Sequence, residues 1–210
     1  MKSGYLCPKG YKQTEVGVIP EEWEVKQVAD LGVTKTGPFG TILRASEYVK
    51  SDGVPLISVG EIGEGVFRIK EHTPLVPSNV VKRLPQYVLK TGDIVFGRKG
   101  AVDRSALVRK NENGWFLGSD GISIRPNSSS HPPYLAYQFQ TKEVQGWLLQ
   151  NATGTTMASL NQRILGHIRI PFAPLPEQRA IATALSDVDG LLGALARLIA
   201  KKRELKQAAM

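Results

Sequence analysis

The chain has 210 residues, of which 41% are hydrophobic and 22% are charged. This length and balance predict one large or two small globular domains with a buried core, and they argue against a mostly disordered chain. No apolar run reaches the roughly 18 residues of a membrane-spanning helix, and residues 1–17 lack the apolar core of a signal peptide. A single cysteine, Cys7, excludes an internal disulfide and favours a reducing cytoplasm.

The chain is basic, with 27 Lys and Arg against 19 Asp and Glu, for a net charge of +8. Such a balance favours a polyanion such as nucleic acid as partner, although charged residues scattered over a solvated surface produce the same total. The bases concentrate in residues 82–125, which hold nine of them against four acids. His72, His131 and His167 are far apart in the sequence, so we expect no zinc site.

Glycine and proline interrupt short apolar runs throughout residues 1–173, a pattern typical of strands and turns with some helix. Thr91-Gly92 is predicted to be a turn that pairs a strand over residues 87–89 with one over 93–96. A loop is predicted over residues 127–133, a helix over 134–150 and an extended segment over 164–170. The predicted strands are residues 54–59, 66–69, 87–89, 93–96, 105–108, 114–117 and 122–125.

Residues 176–209 have the pattern of one long helix that begins after Pro174. Its apolar residues alternate in spacing between four and three, and at about 1.5 Å per residue an unbroken helix would be roughly 50 Å long. Gly190 and Gly193 each weaken it by about 1 kcal/mol relative to alanine, so a helical hairpin folded back on its own domain is the alternative. The heptad residues are Ile181, Leu185, Val188, Leu192, Leu195 and Ile199.

Three polar turns are candidates for DNA contact, at residues 37–44, 97–105 and 154–163. Glycines let a backbone approach a phosphate chain, bases supply salt-dependent contacts, and hydroxyls and amides bind base edges. The alternative for the central turn is a hairpin with solvated bases. The candidate residues are Arg98, Lys99, Arg104, Arg44, Phe39, Thr155, Thr156 and Arg163.

Motifs for catalysis are missing from the sequence. It has no phosphate-binding loop, no nucleophile elbow and no dinucleotide fingerprint, so we predict no catalytic residue, no cofactor and no metal. These observations favour a binding module over an enzyme.

Four segments resemble specificity subunits of type I restriction-modification systems. They are residues 11–25, which include Trp23, residues 89–104, residues 154–156, and residues 168–178 with the sequence Pro-Leu-Pro-Glu-Gln near their end. The resemblance extends over nearly the whole chain. It implies a DNA-binding, non-catalytic subunit on which methyltransferase (modification) subunits dock and which restriction subunits join.

The resemblance also implies an α+β architecture. Residues 1–173 would form a target recognition domain of mixed β-sheet and helix, and residues 174–210 a helical spacer that pairs as an antiparallel coiled coil. Family members usually have two such domains and two helices, whereas this sequence has one of each. We therefore expect a half-sized subunit or a fragment, which pairs as a homodimer through the six heptad residues and binds an interrupted palindrome.

Two other functions stay open at this point. One is a nuclease or methyltransferase fragment, against which the missing cofactor and metal motifs argue. The other is a helix-mediated assembly module that dimerises without preferring any DNA sequence.

Overall fold

The computed structural model describes residues 7–154 and 156–208, which form an α+β domain followed by one long helix. This architecture confirms the predicted fold class. Within the described residues, the strands are β1 (Tyr11–Thr14), β2 (Gly17–Pro20), β3 (Glu24–Gln27), β4 (Gly32–Thr36), β5 (Gly53–Ile57), β6 (Leu75–Pro77), β7 (Ile94–Gly97), β8 (Ser105–Leu107), β9 (Phe116–Leu117), β10 (Gly121–Pro126) and β11 (Arg169–Phe172). The α-helices are α1 (Ser78–Arg83), α2 (Pro132–Phe139), α3 (Lys142–Asn151), α4 (Gln162–Gly166) and α5 (Leu175–Ala208).

A four-stranded antiparallel sheet in the order β4-β10-β7-β8 forms the centre of the domain. Side chains alternate between its two faces, so Phe96, Ile122 and Ile124 all enter the same core. Helix α2 covers that face, and the Phe139 ring meets the Phe96 ring edge-on with 4.9 Å between centroids. Val95 packs into a second apolar cluster on the opposite face, so β7 is buried on both sides.

A smaller sheet in the order β6-β5-β9 lies beside the central one. Strands β5 and β9 are parallel, with Leu56 opposite Phe116. These two side chains join Val76 and Val80 in a third apolar cluster, to which α1 contributes. The small sheet thus has its own core next to the central sheet.

The beginning and end of the domain are joined where α5 starts. Strands β3 and β11 pair in an antiparallel ribbon, and Trp23 Nε1 donates to Glu177 Oε2 at 2.9 Å. The buried Gln178 side chain accepts from His131 N and donates to Ala173 O, each at 2.8 Å. The Pro-Leu-Pro-Glu-Gln segment therefore anchors the long helix to the domain.

Two of the predicted strands are wrong. Residues 66–69 form no strand, and the first of them, Val66, closes a tight turn in which its carbonyl oxygen accepts from Gly63 N at 2.9 Å. Tyr87 is the last residue of a 3-10 helix at Pro85–Tyr87, and Val88 and Leu89 form no strand after it, because the Val88 N–H bonds back to Pro85 O at 3.2 Å. Strand β7 consequently pairs with β8 and β10 and not with residues 87–89.

The predicted helix over residues 134–150 is divided in two, and the extended segment over 164–170 begins as helix. In both places a side chain caps a new helix: Thr141 Oγ1 accepts from Val144 N at 3.4 Å, and Asn161 Oδ1 accepts from Ile164 N at 2.8 Å. This local capping outweighs the apolar spacing on which the two predictions depended.

Helix α5 is continuous over 34 residues, so the hairpin alternative is wrong. Its buried side chains are Gln178 and Ala182, both near its beginning. Tyr137 Oη on α2 donates to Asp189 Oδ2 at 2.8 Å, and beyond this bond the helix extends away from the domain. No described helix is long and apolar enough to cross a membrane.

Candidate nucleic-acid interface

The turn that connects β7 to β8, residues 98–104, bears three of the basic side chains predicted to contact DNA. Its start is held in place because Arg98 N donates to Asp120 O at 2.8 Å. At the preceding Gly97, a Cβ atom would lie 2.3 Å from Ala101 O, so the turn requires glycine there. The bases therefore project from a well-defined turn at one edge of the central sheet.

The 153–159 loop, described except for residue 155, covers the first part of the predicted 154–163 loop and packs directly on this turn, whereas residues 162 and 163 lie in α4. Gly100 N donates to Ala158 O at 2.8 Å, and Leu160 N donates to Arg98 O at 2.8 Å. These backbone bonds join segments that are more than 50 residues apart in the sequence. The structure thus brings two of the three predicted loops together.

The third predicted loop, residues 37–44, reaches the same turn. The guanidinium carbon of Arg98 lies 5.2 Å from the centre of the Phe39 ring, which is a cation–π contact. Phe39 is nevertheless 56% exposed. The loop starts against the sheet edge, where a Cβ on Gly37 would lie 1.8 Å from Gly118 O. All three loops therefore meet around Arg98.

A fourth segment of this edge, residues 118–120, was missed by the sequence analysis. Arg98 Nη1 donates to Ser119 O at 3.2 Å, and Lys99 Nζ lies 3.5 Å from Asp120 Oδ1. A Gly-Ser-Asp-Gly sequence predicts a turn, but only the pairing of β10 with β7 places that turn beside the bases. An acid thus lies among the candidate DNA-binding residues.

Two further predicted bases are exposed near this edge. Arg163 is on α4, and the neighbouring Gln162 Nε2 donates to Thr36 Oγ1 at 3.0 Å, just before the 37–44 loop. Arg104 is exposed at the end of the β7–β8 turn. These positions leave both guanidinium groups accessible to a polyanion.

The remaining predicted residues are less closely joined to Arg98. Thr156 is exposed on the 153–159 loop, and Thr155 lies outside the described residues. Arg44 is exposed, and among the described residues no hydrogen bond links its side chain to the other candidates. Its backbone N–H donates to Glu47, and this bond, together with the Arg83 side chain, lowers the pKa of the Glu47 carboxyl group.

The Tyr48 hydroxyl is close enough to Asp120 for the two groups to interact electrostatically. Burial raises the pKa of Tyr48, and the Asp120 and Glu47 carboxylates raise it further, so this hydroxyl stays neutral. In the part of the chain that the structure describes, no three His, Cys, Asp or Glu side chains are arranged to hold a metal ion.

The six heptad residues of α5 differ in their surroundings. Ile181 is partly buried and packs against the core of its own domain, which the heptad spacing did not predict. The other five are between 40% and 59% exposed. An adjacent row of leucines, spaced seven residues apart, is between 51% and 71% exposed: Leu191, Leu198 and Leu205. The exposed apolar face of α5 comprises Leu185, Val188, Leu191, Leu192, Leu195, Leu198, Ile199 and Leu205.

Comparison with protein families matches residues 20–206 to the type I restriction modification DNA specificity domain. The chain belongs to this family. The match includes both the convergent loops and nearly all of α5, so the domain and its helix form one family unit.

Curated relatives have the same kind of name. The chain is 29% identical over 212 aligned residues to the putative type I restriction enzyme MjaX specificity subunit of Methanocaldococcus jannaschii, covering 96% of this chain and 48% of that protein. It is 26% identical to the type I restriction enzyme EcoKI specificity subunit of Escherichia coli K12, covering 82% of this chain and 38% of that protein. The chain thus spans about half the length of these relatives.

Solved structures share the fold. A chain from a study of assembly and conformational transition in the type I R-M system superposes with a TM-score of 0.68 at 20% identity, covering 90% of this chain and 44% of that one. The HsdS subunit from Thermoanaerobacter tengcongensis gives a TM-score of 0.64 at 18% identity, with 90% and 42% covered.

Proposed function

We propose that this chain is a non-catalytic specificity subunit of a type I restriction-modification system and binds a defined sequence in double-stranded DNA. The observation that supports this most is the convergence of three separately predicted loops around Arg98 at one edge of the central sheet. Membership in the DNA specificity domain family agrees with it. Methylation and cleavage would belong to partner subunits, so this chain needs no cofactor of its own.

In this proposal, different residues of the edge contact the phosphates and the bases. The exposed Arg104 and Arg163 contact phosphates and position the protein, while Arg98, held by Ser119 O and the Phe39 ring, is aimed at base edges. Thr156 and its loop add hydroxyl and backbone groups that bind either bases or phosphates.

The long helix is the scaffold in this proposal. Two copies pair antiparallel through the exposed apolar face of α5, burying it isologously, and modification and restriction subunits assemble on the pair. Asp187 lies in the first half of α5 and Lys201 and Lys202 in the second, so an antiparallel pair aligns opposite charges. Two domains related by a two-fold axis then bind an interrupted palindrome. The single exposed Cys7 agrees with action in the cytoplasm.

A salt titration with Arg98→Ala tests the DNA-binding role. Wild-type protein is expected to bind duplex DNA with an affinity that falls steeply as salt increases, because Lys and Arg displace counterions. Arg98→Ala should weaken binding to the preferred sequence by about 1–3 kcal/mol if Arg98 contacts a base. The measurement is fluorescence anisotropy with labelled duplexes, preceded by selection of the preferred sequence from a randomised pool.

Lys110→Ala is the matched control, since Lys110 is exposed in the 3-10 helix Lys110–Glu112, which follows β8 at the end opposite the 98–104 turn. A uniform loss over all sequences would assign Arg98 to phosphate contact instead. Dimers that bind no sequence preferentially would favour the assembly module and overturn the proposed function.

A further inference from the structure

The Lys99–Asp120 ion pair lies at the centre of the proposed DNA-binding edge and is only partly covered. Its Nζ and Oδ1 atoms are 3.5 Å apart, and the two side chains are 50% and 35% exposed. Asp120 is held by its own backbone, because its carbonyl oxygen accepts from Arg98 N at 2.8 Å. A cationic donor and an anionic acceptor are thereby presented side by side.

A carboxylate in this position opposes phosphate binding. Coulomb repulsion with the DNA backbone would reduce the affinity that the neighbouring bases provide. The carboxylate becomes favourable only if the DNA presents a hydrogen-bond donor to it, and in the major groove the donors are the exocyclic amines of cytosine and adenine.

We propose that Lys99 and Asp120 together recognise one G·C base pair in the major groove, with the ammonium group donating to guanine and the carboxylate accepting from cytosine. This inference rests on the proposed function, since it requires that the edge faces DNA. Guanine O6 and cytosine N4 are themselves hydrogen-bonded at about 2.9 Å. A Lys–Asp pair 3.5 Å apart therefore matches their separation and opposes each with a partner of the right kind.

The pattern of neighbouring atoms favours G·C over A·T. In a G·C pair the second acceptor, N7, lies on the guanine side, where it adds to the attraction for Lys99, and the cytosine amine stands beside a C–H group. In an A·T pair the adenine amine adjoins the N7 acceptor, which repels a carboxylate, and the thymine methyl group crowds the ammonium. The ion pair thus distinguishes the two pairs by charge as well as by hydrogen bonding.

The test compares selected sequences for wild-type protein and Asp120→Asn, using the full chain and a duplex pool with a randomised central segment. Wild type is expected to enrich a sequence with G·C at one position of each half-site. In Asp120→Asn this preference should fall by about 5- to 150-fold and shift towards A·T, because asparagine pairs with adenine N6 and N7. Lys99→Gln should lose the preference at the same position.

Asp52→Asn is the matched control. It removes the same charge from an exposed residue. Asp52 precedes the first residue of β5, whereas the 118–120 turn adjoins the last residue of that strand, Ile57. The Asp52 φ of 56° is one that asparagine adopts readily. Circular dichroism melting of each variant checks that the fold is kept, so a changed preference reports on recognition.

The outcomes separate this inference from the proposed function. A loss of preference confined to one position in Asp120→Asn, with Asp52→Asn unchanged, supports the inference. An unchanged preference in Asp120→Asn, or an equal change in affinity for every sequence, overturns it and leaves Asp120 as a group that only orients Lys99. A wild-type protein that enriches no sequence overturns both.

Discussion

At the scale of single residues, the Asp93–Arg125 pair ties the beginning of β7 to β10. The Asp93 side chain is 2% exposed and accepts from Arg125 Nε at 2.8 Å, Arg125 Nη2 at 2.6 Å and Lys90 N at 2.9 Å. The hydrogen bonds from Arg125 to Asp93 raise the pKa of Arg125, so its charge is secure. A buried carboxylate needs such partners because it has lost its water.

Arg125→Ala is expected to lower the free energy of unfolding by about 1–3 kcal/mol. It leaves the Asp93 carboxylate buried with a single backbone donor, while the half-exposed Arg125 side chain moderates the loss. The measurement is urea unfolding at pH 7, with Arg125→Lys as the variant that keeps the charge and part of the hydrogen bonding. A midpoint identical to that of wild type would contradict the role assigned to this pair.

At the scale of elements, α5 extends well beyond the residues that contact its own domain. Its contacts with the domain extend from Glu177, which accepts from Trp23, to Asp189, which accepts from Tyr137, and the helix still continues through Gly190 and Gly193. A helix of this length without tertiary support depends on propensity and on a packing partner.

Gly190→Ala should stabilise α5 by about 1 kcal/mol. An added Cβ at this position meets no atom within 4 Å, so alanine restricts the unfolded chain without strain. The increase should be visible as a higher thermal midpoint by circular dichroism at 222 nm. Gly97→Ala, where the Cβ would collide with Ala101 O, is the contrasting variant and should destabilise the protein.

His131, the N-cap residue of α2, is expected to make the free energy of unfolding depend on pH. Burial lowers the pKa of His131 from its ordinary 6.5, and the nearby Arg179 lowers it further. The unfolded chain then binds more protons than the folded one just below pH 6.5, so the free energy of unfolding should decrease as the pH falls through that range. Asparagine, a good N-cap, should remove this dependence in His131→Asn.

Urea unfolding of wild type and His131→Asn between pH 7 and 5 measures this difference. If the two proteins lose stability in parallel, other groups cause the effect and His131 has no part in it.

At the scale of the whole molecule, the proposed dimer connects the proposed DNA-binding edge with the exposed apolar face of α5. The proposed DNA-binding edge is on the domain, and the exposed apolar face begins where α5 leaves it. Since apolar residues exposed in such a row are characteristic of interaction sites, pairing would both bury them and set the distance between two DNA-binding edges.

Leu192→Glu should convert a dimer into a monomer without unfolding it. Leu192 is 59% exposed and lies near the middle of the apolar face, so the glutamate is solvated in a monomer but buried in a pair. Light scattering coupled to size exclusion at micromolar concentration measures the mass. Substitution is preferable to truncation at residue 174, which would remove the buried Gln178.

Leu149→Glu is the matched control. Leu149 is 54% exposed on α3, so this substitution makes the same chemical change at a similarly exposed position outside α5. A wild-type protein that is already monomeric would overturn the dimer and, with it, the palindromic target.

Features that depend on local chemistry were predictable from the order of amino acids alone. The heptad spacing predicted a helix that the structure extends from Leu175 to Ala208, and apolar runs predicted strands β5, β7 and β10 to within a few residues. The resemblance carried by Trp23 and the Pro-Leu-Pro-Glu-Gln segment identified the family, and these residues bond to each other where the domain meets α5.

How these parts meet depends on contacts between segments that are distant in the sequence. The loops at 37–44, 98–104 and 153–159 are joined by backbone hydrogen bonds and a cation–π contact across long sequence separations, which no local pattern encodes. The pairing of β10 with β7 brought Asp120 beside Lys99, and packing against the domain covered Ile181. Spacing along a chain predicts which face of an element is apolar, but the partner of that face depends on the energy of the whole fold.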